Sequence, residues 1–178
     1  MLVIPLLLAA PVLAAGGDYP VRLQGGLGGG LGPPSLGAYG TGRVLVEGQT
    51  MAFEVAAREG WFTDDARSVG ALFFGARATL PLGLHVRGGF AHNHEVPWAV
   101  LQEEPVGSIL GSATGIRHRS GVEVGLGYSY WFDDAWLGDR LSVYVDGATS
   151  SLFDDKGPFA YAWLEGGVSV AVGARRDR

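Results

Sequence analysis

The chain has 178 residues, 47% of them hydrophobic and 17% charged, with a formal net charge of -5. That length suits one domain, and an acidic balance without a basic stripe excludes nucleic acid as a partner. Cysteine is absent, so neither a disulfide framework nor thiol chemistry is available. The 30 glycines far exceed the usual share of about 7%. They lie among apolar and aromatic residues rather than in a polar tract, which points to ordered, glycine-rich strands.

The chain opens with MLVIPLLLAAPVLAAGG. An apolar run from Leu2 to Leu13, followed by small residues around Ala14 and Ala15, reads as a secretory signal peptide over residues 1–15. The mature domain then spans residues 16–178. It contains no stretch of about 18 apolar residues, so no helical membrane span is expected.

From Tyr19 onward the chain breaks into alternating segments separated by Gly, Pro and Asp, without a helical stripe. Strands are expected at about 19–31, 37–47, 50–60, 67–80, 83–94, 119–132, 140–152 and 159–173. At ten or more residues they are longer than the five or six usual in soluble sheets and match strands tilted across a bilayer. Joints after the second and fourth strands are tight, at Gly48–Gln49 and Pro81–Leu82–Gly83. The segments WFTDDA, Glu95 to His118 and DDKGPF are expected as longer loops at the opposite end.

The stretch SGVEVGLGYSYWF, residues 120–132, shows the pattern at its clearest. Val122, Val124, Leu126, Tyr128, Tyr130 and Phe132 share one parity, and Gly121, Glu123, Gly125, Gly127, Ser129 and Trp131 share the other. Successive side chains of a strand point to opposite faces, so the two faces meet different surroundings. Elsewhere the apolar parity collects residues such as Leu23, Val44, Phe53, Phe74, Val86, Val145 and Val170. The opposite parity collects Arg22, Arg43, Arg58, Arg77 and Arg87 against Glu47, Glu54, Glu123, Asp146 and Glu165. A lipid-facing wall around a lumen of paired charges fits this distribution. A soluble β-sandwich would invert it, with the apolar face inside. Arginine and acids with almost no lysine, glycines among the charges, and aromatics near strand ends (Trp61, Phe62, Trp98, Tyr130, Trp131, Phe132, Phe153 and Phe159) favour the lipid-facing reading.

On these residues the mature chain resembles the small outer-membrane β-barrel proteins of Gram-negative bacteria, the group of the outer membrane protein A membrane domain and the opacity and X-type proteins. In the last strand Glu165, Gly167, Val170 and Val172 resemble the signal read by the barrel assembly machinery, although the chain ends in Ala174 to Arg178 rather than in the usual aromatic residue. The resemblance implies an all-β, eight-stranded, antiparallel up-and-down transmembrane barrel in the outer membrane. It also implies contact with outer-membrane lipid and lipopolysaccharide, and the assembly machinery as a partner during biogenesis.

An eight-stranded barrel has an interior that side chains fill, so the ten charged residues named above are expected to form an ion-pair plug. Three histidines, His92, His94 and His118, fall near the outer ends of the fifth and sixth strands, with Glu95 adjacent. Imidazole and carboxylate suit transition metals, but convergence across two strands is required, and a polar rim is the plainer expectation. His118-Arg119-Ser120 resembles the His-x-Ser pair of outer-membrane lipid A deacylases. The nearby acid, Glu123, lies on the opposite face from Ser120, so a nucleophile–base–acid trio is not expected. The acid pairs Asp64–Asp65, Glu103–Glu104 and Asp154–Asp155 match no calcium loop, and GGLGGGLG at 25–32 lacks the Lys-Ser/Thr of a phosphate loop. No cofactor is expected. The function expected is that of a non-catalytic, envelope-stabilising or surface-interaction barrel, with a lipid-modifying barrel enzyme or a soluble binding sandwich as alternatives.

Overall fold

A computed structural model describes residues 19–32, 35–62, 67–132, 140–154 and 157–175. The expected signal peptide lies outside the described residues, as do Asp64, Asp65 and Asp155. Eight antiparallel strands follow one another around a closed barrel: β1 (Val21–Gly32), β2 (Ser35–Glu47), β3 (Met51–Phe62), β4 (Arg67–Thr79), β5 (Leu84–Pro97), β6 (Arg117–Trp131), β7 (Leu141–Asp154) and β8 (Gly157–Val172). Each strand pairs with its sequence neighbour, and β8 returns to β1 in a register that sets Val21 opposite Val172 and Leu31 opposite Ala162. No edge is left open, so the ladder satisfies the backbone of every strand. No helix among the described residues is long and apolar enough to cross a membrane.

The two parities separate as the alternation requires. In β6, Val122, Val124, Leu126 and Tyr130 point outward and are exposed, while Glu123 is 1% exposed. The same split holds in β1, where Leu23, Leu27 and Leu31 are exposed beside buried Arg22 and Gln24. It holds again in β8, where Val168, Val170 and Val172 are exposed beside buried Glu165 and Ser169. A soluble sandwich would hide the valines and expose the carboxylates; here the large apolar side chains stand on the outer wall and the charges fill the bore.

The lumenal glycines follow from the size of their neighbours. Arg87 is paired across the ladder with Gly125, and His85 with Gly127. A Cβ on Gly125 would come within 2.8 Å of the Arg87 side chain, and one on Gly127 within 2.3 Å of the His85 ring. Trp163 and Tyr161 lie over Gly30 and Gly32 in the same way. Each bulky lumenal group therefore occupies the space that a side chain across the strand would need.

Three expectations need correction. The strands are longer than the alternation suggested: β3 includes Trp61 and Phe62, and β8 begins at Gly157, so the connections at 63–66 and 155–156 are short. Glu95 and His118 belong to β5 and β6, and the long connection is 98–116, carrying two short helices, α1 (Trp98–Glu103) and α2 (Pro105–Ile109). That segment does not stand free. The helix α1 contacts β4 and β5, and the outward positions His94 and Val96 are buried beside it. Of the aromatics expected at the membrane boundary, Trp61, Trp98, Tyr130 and Phe153 are exposed. Phe62, Trp131 and Phe159 instead turn inward beneath guanidinium groups, with Arg67, Arg22 and Arg119 centred 5.1, 3.8 and 4.0 Å from their rings. Aromatic faces attract cations, so the lumen uses these rings as part of its charge balance.

Glycine positions with and without space should behave differently. Gly89 faces Gly75 across the ladder, and a Cβ there would lie 2.3 Å from the Phe74 carbonyl oxygen. The Cβ of an alanine at Gly42 would meet nothing within 4 Å. Gly89→Ala is expected to lower the folded fraction strongly while Gly42→Ala leaves it unchanged, as read from the folded and unfolded bands in cold-detergent electrophoresis.

Candidate functional site

The most concentrated chemistry lies in the bore. At its lower end, nearest the chain termini, Arg22 Nε donates to Glu47 Oε1 at 3.0 Å while its guanidinium stacks on Trp131. The mid-section holds four guanidinium groups, Arg43, Arg58, Arg77 and Arg87, against four carboxylates, Glu54, Glu123, Asp146 and Glu165. Arg43 bonds both Asp146 and Glu165 and lies 3.5 Å from Glu54. Arg58 makes a two-point contact with Glu123, at 2.8 and 2.7 Å. Arg87 Nη1 donates to the same Glu123 at 2.6 Å, and Ser150 Oγ donates to its second oxygen at 2.6 Å. Arg77 donates to Glu54 at 2.9 Å and to Gln24 at 3.3 Å. Thr41 donates to Glu165 at 2.7 Å, and His85 Nε2 lies 3.4 Å from Asp146.

Above this layer Tyr39, Phe62, Val69, Ala91, Leu152, Tyr161 and Trp163 form a tight aromatic and aliphatic layer. Tyr39 meets Trp163 edge-on at 4.8 Å between ring centres, and Tyr161 stacks on Trp163 at 5.6 Å. A second ionic layer closes the upper mouth. Glu95 accepts from Arg119 and Tyr161 and lies 2.8 Å from Arg67, while Asp154 accepts from Arg117 and Arg119 at 2.6 and 3.1 Å. Glu95, Arg117, Arg119 and Asp154 were missed as lumenal residues in the sequence reading. Their signal was parity: Glu95 shares that of Arg87, and Arg119 that of Glu123, but Glu95, Arg117 and Asp154 lie beyond the expected strand ends and Arg119 is the first residue of its expected strand.

The outer wall carries a separate polar cluster. His92 Nδ1 and Ser120 Oγ are hydrogen-bonded at 2.8 Å, and His92 Nε2 and His118 Nδ1 at 3.2 Å. The pairing of β5 with β6 sets His92 opposite Ser120 and His94 opposite His118. His94 is buried, with its Nε2 over Gly70 and without a hydrogen-bond partner among the described residues. The serine of the His-x-Ser pair is therefore held by His92 rather than by His118. Glu123 is committed to Arg58 and Arg87 inside the barrel, so it supplies no acid to this wall. Glu95 faces the bore, on the other side of the sheet from His92 and His94. Among the described residues no group of three histidine or carboxylate side chains converges to hold a metal. Glu103 and Glu104 lie exposed at the end of α1, whereas Asp154 is held by two arginines of the upper mouth.

No protein-family model matches the sequence, and no curated protein matches it. Solved structures do. Neisserial surface protein A superposes with a TM-score of 0.58 at 11% identity, covering 85% of this chain and 96% of that one. The N-terminal β-barrel domain of Pseudomonas aeruginosa OprF superposes with a TM-score of 0.50 at 13% identity, covering 84% and 98%. The chain has the fold of the small outer-membrane barrels. The likeness spans nearly the whole of both neighbours, so the described strands form a complete barrel of this kind rather than part of a larger sheet.

The mid-section cluster sets a measurable cost. Removing one member of a buried pair leaves an uncompensated charge, at about 3–5 kcal/mol. Glu123→Leu removes the hydrogen-bonded carboxylate of both Arg58 and Arg87 and is expected to lower unfolding stability by roughly that amount. Glu104→Ala on the exposed helix end should stay within about 0.5 kcal/mol. Urea-unfolding midpoints in one detergent compare the two.

Proposed function

We propose that this chain is a non-catalytic outer-membrane protein whose barrel is anchored by its apolar wall and sealed by its ionic lumen, serving envelope stability or contact at the cell surface. One observation carries the reading: every strand sets a row of large apolar residues outward on the barrel wall, while the charged residues of the mid-section, Arg43, Glu54, Arg58, Arg77, Arg87, Glu123, Asp146 and Glu165, are buried in the bore. Water would penalise that arrangement along the whole wall, and hydrocarbon favours it. The described termini emerge at the lower end with the short turns at 48–50 and 80–83, the end assigned to the periplasm in barrels of this type. Residues 1–15 serve as the export signal, and the final strand, with Val170 and Val172 on the wall, serves as the segment engaged by the barrel assembly machinery. Outer-membrane lipid and lipopolysaccharide are the partners of the wall.

The lumen is read as a plug. Guanidinium and carboxylate groups fill the mid-section, and the layer of Tyr39, Phe62, Tyr161 and Trp163 lies directly above it, as the side-chain-filled interior of an eight-stranded barrel requires. Among the described residues the hydrogen-bond partners of His92 are Ser120 and His118, with no acid between them, which favours a structural over a hydrolytic reading.

The test is electrophoresis of the isolated outer-membrane fraction with and without boiling. A closed barrel stays folded in cold detergent, so a boiling-dependent shift is expected; recovery in the soluble periplasm with no shift would refute the reading. The wall itself is tested by Val124→Arg at mid-strand in β6. In a bilayer this substitution should cost about 2–4 kcal/mol, whereas on a water-facing wall it should stay within about 0.5 kcal/mol.

A further inference from the structure

The outer wall is not uniformly packed with large side chains. On β2 and β3 an open groove of about 460 Å³ interrupts it, within the size range of ordinary ligand clefts. Its floor is made by Gly40, Gly42 and Ala57, and Trp61 and Leu72 rise beside it. The floor glycines are not required by packing within the protein: a Cβ on Gly42 meets nothing within 4 Å, and one on Gly40 only a Leu27 methyl at 3.8 Å. This contrasts with lumenal glycines such as Gly30, Gly32, Gly125 and Gly127, where a neighbouring side chain fills the space a Cβ would need. The hollow is therefore kept open on the outside.

Two polar groups stand at its upper side. Register places Gly40 opposite Glu59, Glu59 opposite Gly70, and Gly70 opposite His94, in one line across the wall. Glu59 is a half-buried, outward-facing carboxylate, and Ser68 donates to its Oε1. A carboxylate accepts several hydrogen bonds, so Ser68 leaves most of that capacity unused. The His94 side chain lines the groove and is 6% exposed. Its Nε2 lies in the space above Gly70, on the side facing Glu59, with no hydrogen-bond partner among the described residues. Buried polar groups on a wall facing hydrocarbon are costly unless a partner satisfies them.

We propose that this groove binds one acyl chain of a membrane lipid that carries hydroxyl or amide donors beside the chain, the chemistry of lipid A, with Glu59 accepting from those donors and His94 completing the polar end. The inference rests on the outer-membrane reading above, because only there is the wall solvated by such lipids. The apolar floor takes the chain, and Glu59, three residues from the upper end of β3 (Met51–Phe62), stands at the end of the groove toward the upper mouth.

Native mass spectrometry of the purified full chain, loaded separately with lipid A and with phosphatidylcholine, tests this. Phosphatidylcholine has acyl chains but no hydroxyl or N–H donor. The wild-type protein is expected to retain one lipid A molecule roughly tenfold better than phosphatidylcholine, the scale of one charged hydrogen bond. Gly42→Leu, which fills the groove without a clash, should lose that retention, with Ala57→Leu as a second filling variant should the first not fold. Glu59→Leu should abolish the preference between the two lipids. Gly88→Leu adds the same bulk to the outer wall of β5, where a Cβ meets nothing closer than 3.8 Å, and should behave as wild type. Equal retention of the two lipids by the wild type, or wild-type retention by folded Gly42→Leu, would overturn the proposal. In either case a boiling-dependent shift would leave the outer-membrane reading intact, and its absence would remove both.

Discussion

The constraint on which this barrel depends is charge neutrality across the bore. Ladder hydrogen bonds join each strand only to its two neighbours. The ionic cluster joins strands that face each other: Arg58 of β3 reaches Glu123 of β6, Arg43 of β2 reaches Asp146 of β7 and Glu165 of β8, and Arg87 of β5 reaches Glu54 of β3. Guanidinium is suited to this task because its planar fork can serve two carboxylates at once and stays charged when desolvated. Lysine, as a hydrated point charge, would satisfy one acceptor at a time, and no lysine is placed among the described lumenal charges. The glycines follow from the same requirement, since long arginine side chains laid across a narrow cylinder need empty positions opposite them.

Neutrality also explains the layering. The four arginines and four carboxylates of the mid-section balance locally, so the aromatic layer above them meets no net charge, and the upper mouth sets three arginines, Arg67, Arg117 and Arg119, around two carboxylates, Glu95 and Asp154. Cation–π contacts at Trp131, Phe62 and Phe159 take part of the guanidinium charge that carboxylates do not reach. The upper mouth is not a passive rim of solvated charges. Its arginines close the bore as those of the mid-section do.

Period-2 alternation is a direct consequence of strand geometry, and it made the number of strands, their order and the facing of each parity legible in the residues alone. What it could not mark was where a strand stops. Trp61–Phe62, Glu95–Pro97 and Arg117–His118 continue their strands through polar or aromatic residues that also suit loops, so the ladder overran the boundaries expected for it. The cost fell on the sites. As a loop residue Glu95 would accompany His92 and His94, whereas in a continuous strand odd and even positions must part, and Glu95 turns inward to Arg119. Pairing register was equally invisible: that His92, not His118, meets Ser120 depends on the alignment of β5 with β6, which no single strand specifies.

The outer wall poses the opposite problem to the bore. Inside, every charge is met by another from the same chain. Outside, Glu59, His94 and the His92–Ser120 pair interrupt an apolar surface, and the 98–116 segment covers only part of them: it buries Val96 and lies against His94, with Gly111 close to both His94 and His118, yet it leaves the glycine-floored groove beside Glu59 open. A segment that folds back onto the wall at the polar positions reduces the polar surface offered to hydrocarbon. It does not remove it, and the remaining acceptors lie beside a hollow kept open by small residues. A barrel that neutralises its interior so completely leaves its own chemistry to the wall, where the partner has to come from the membrane.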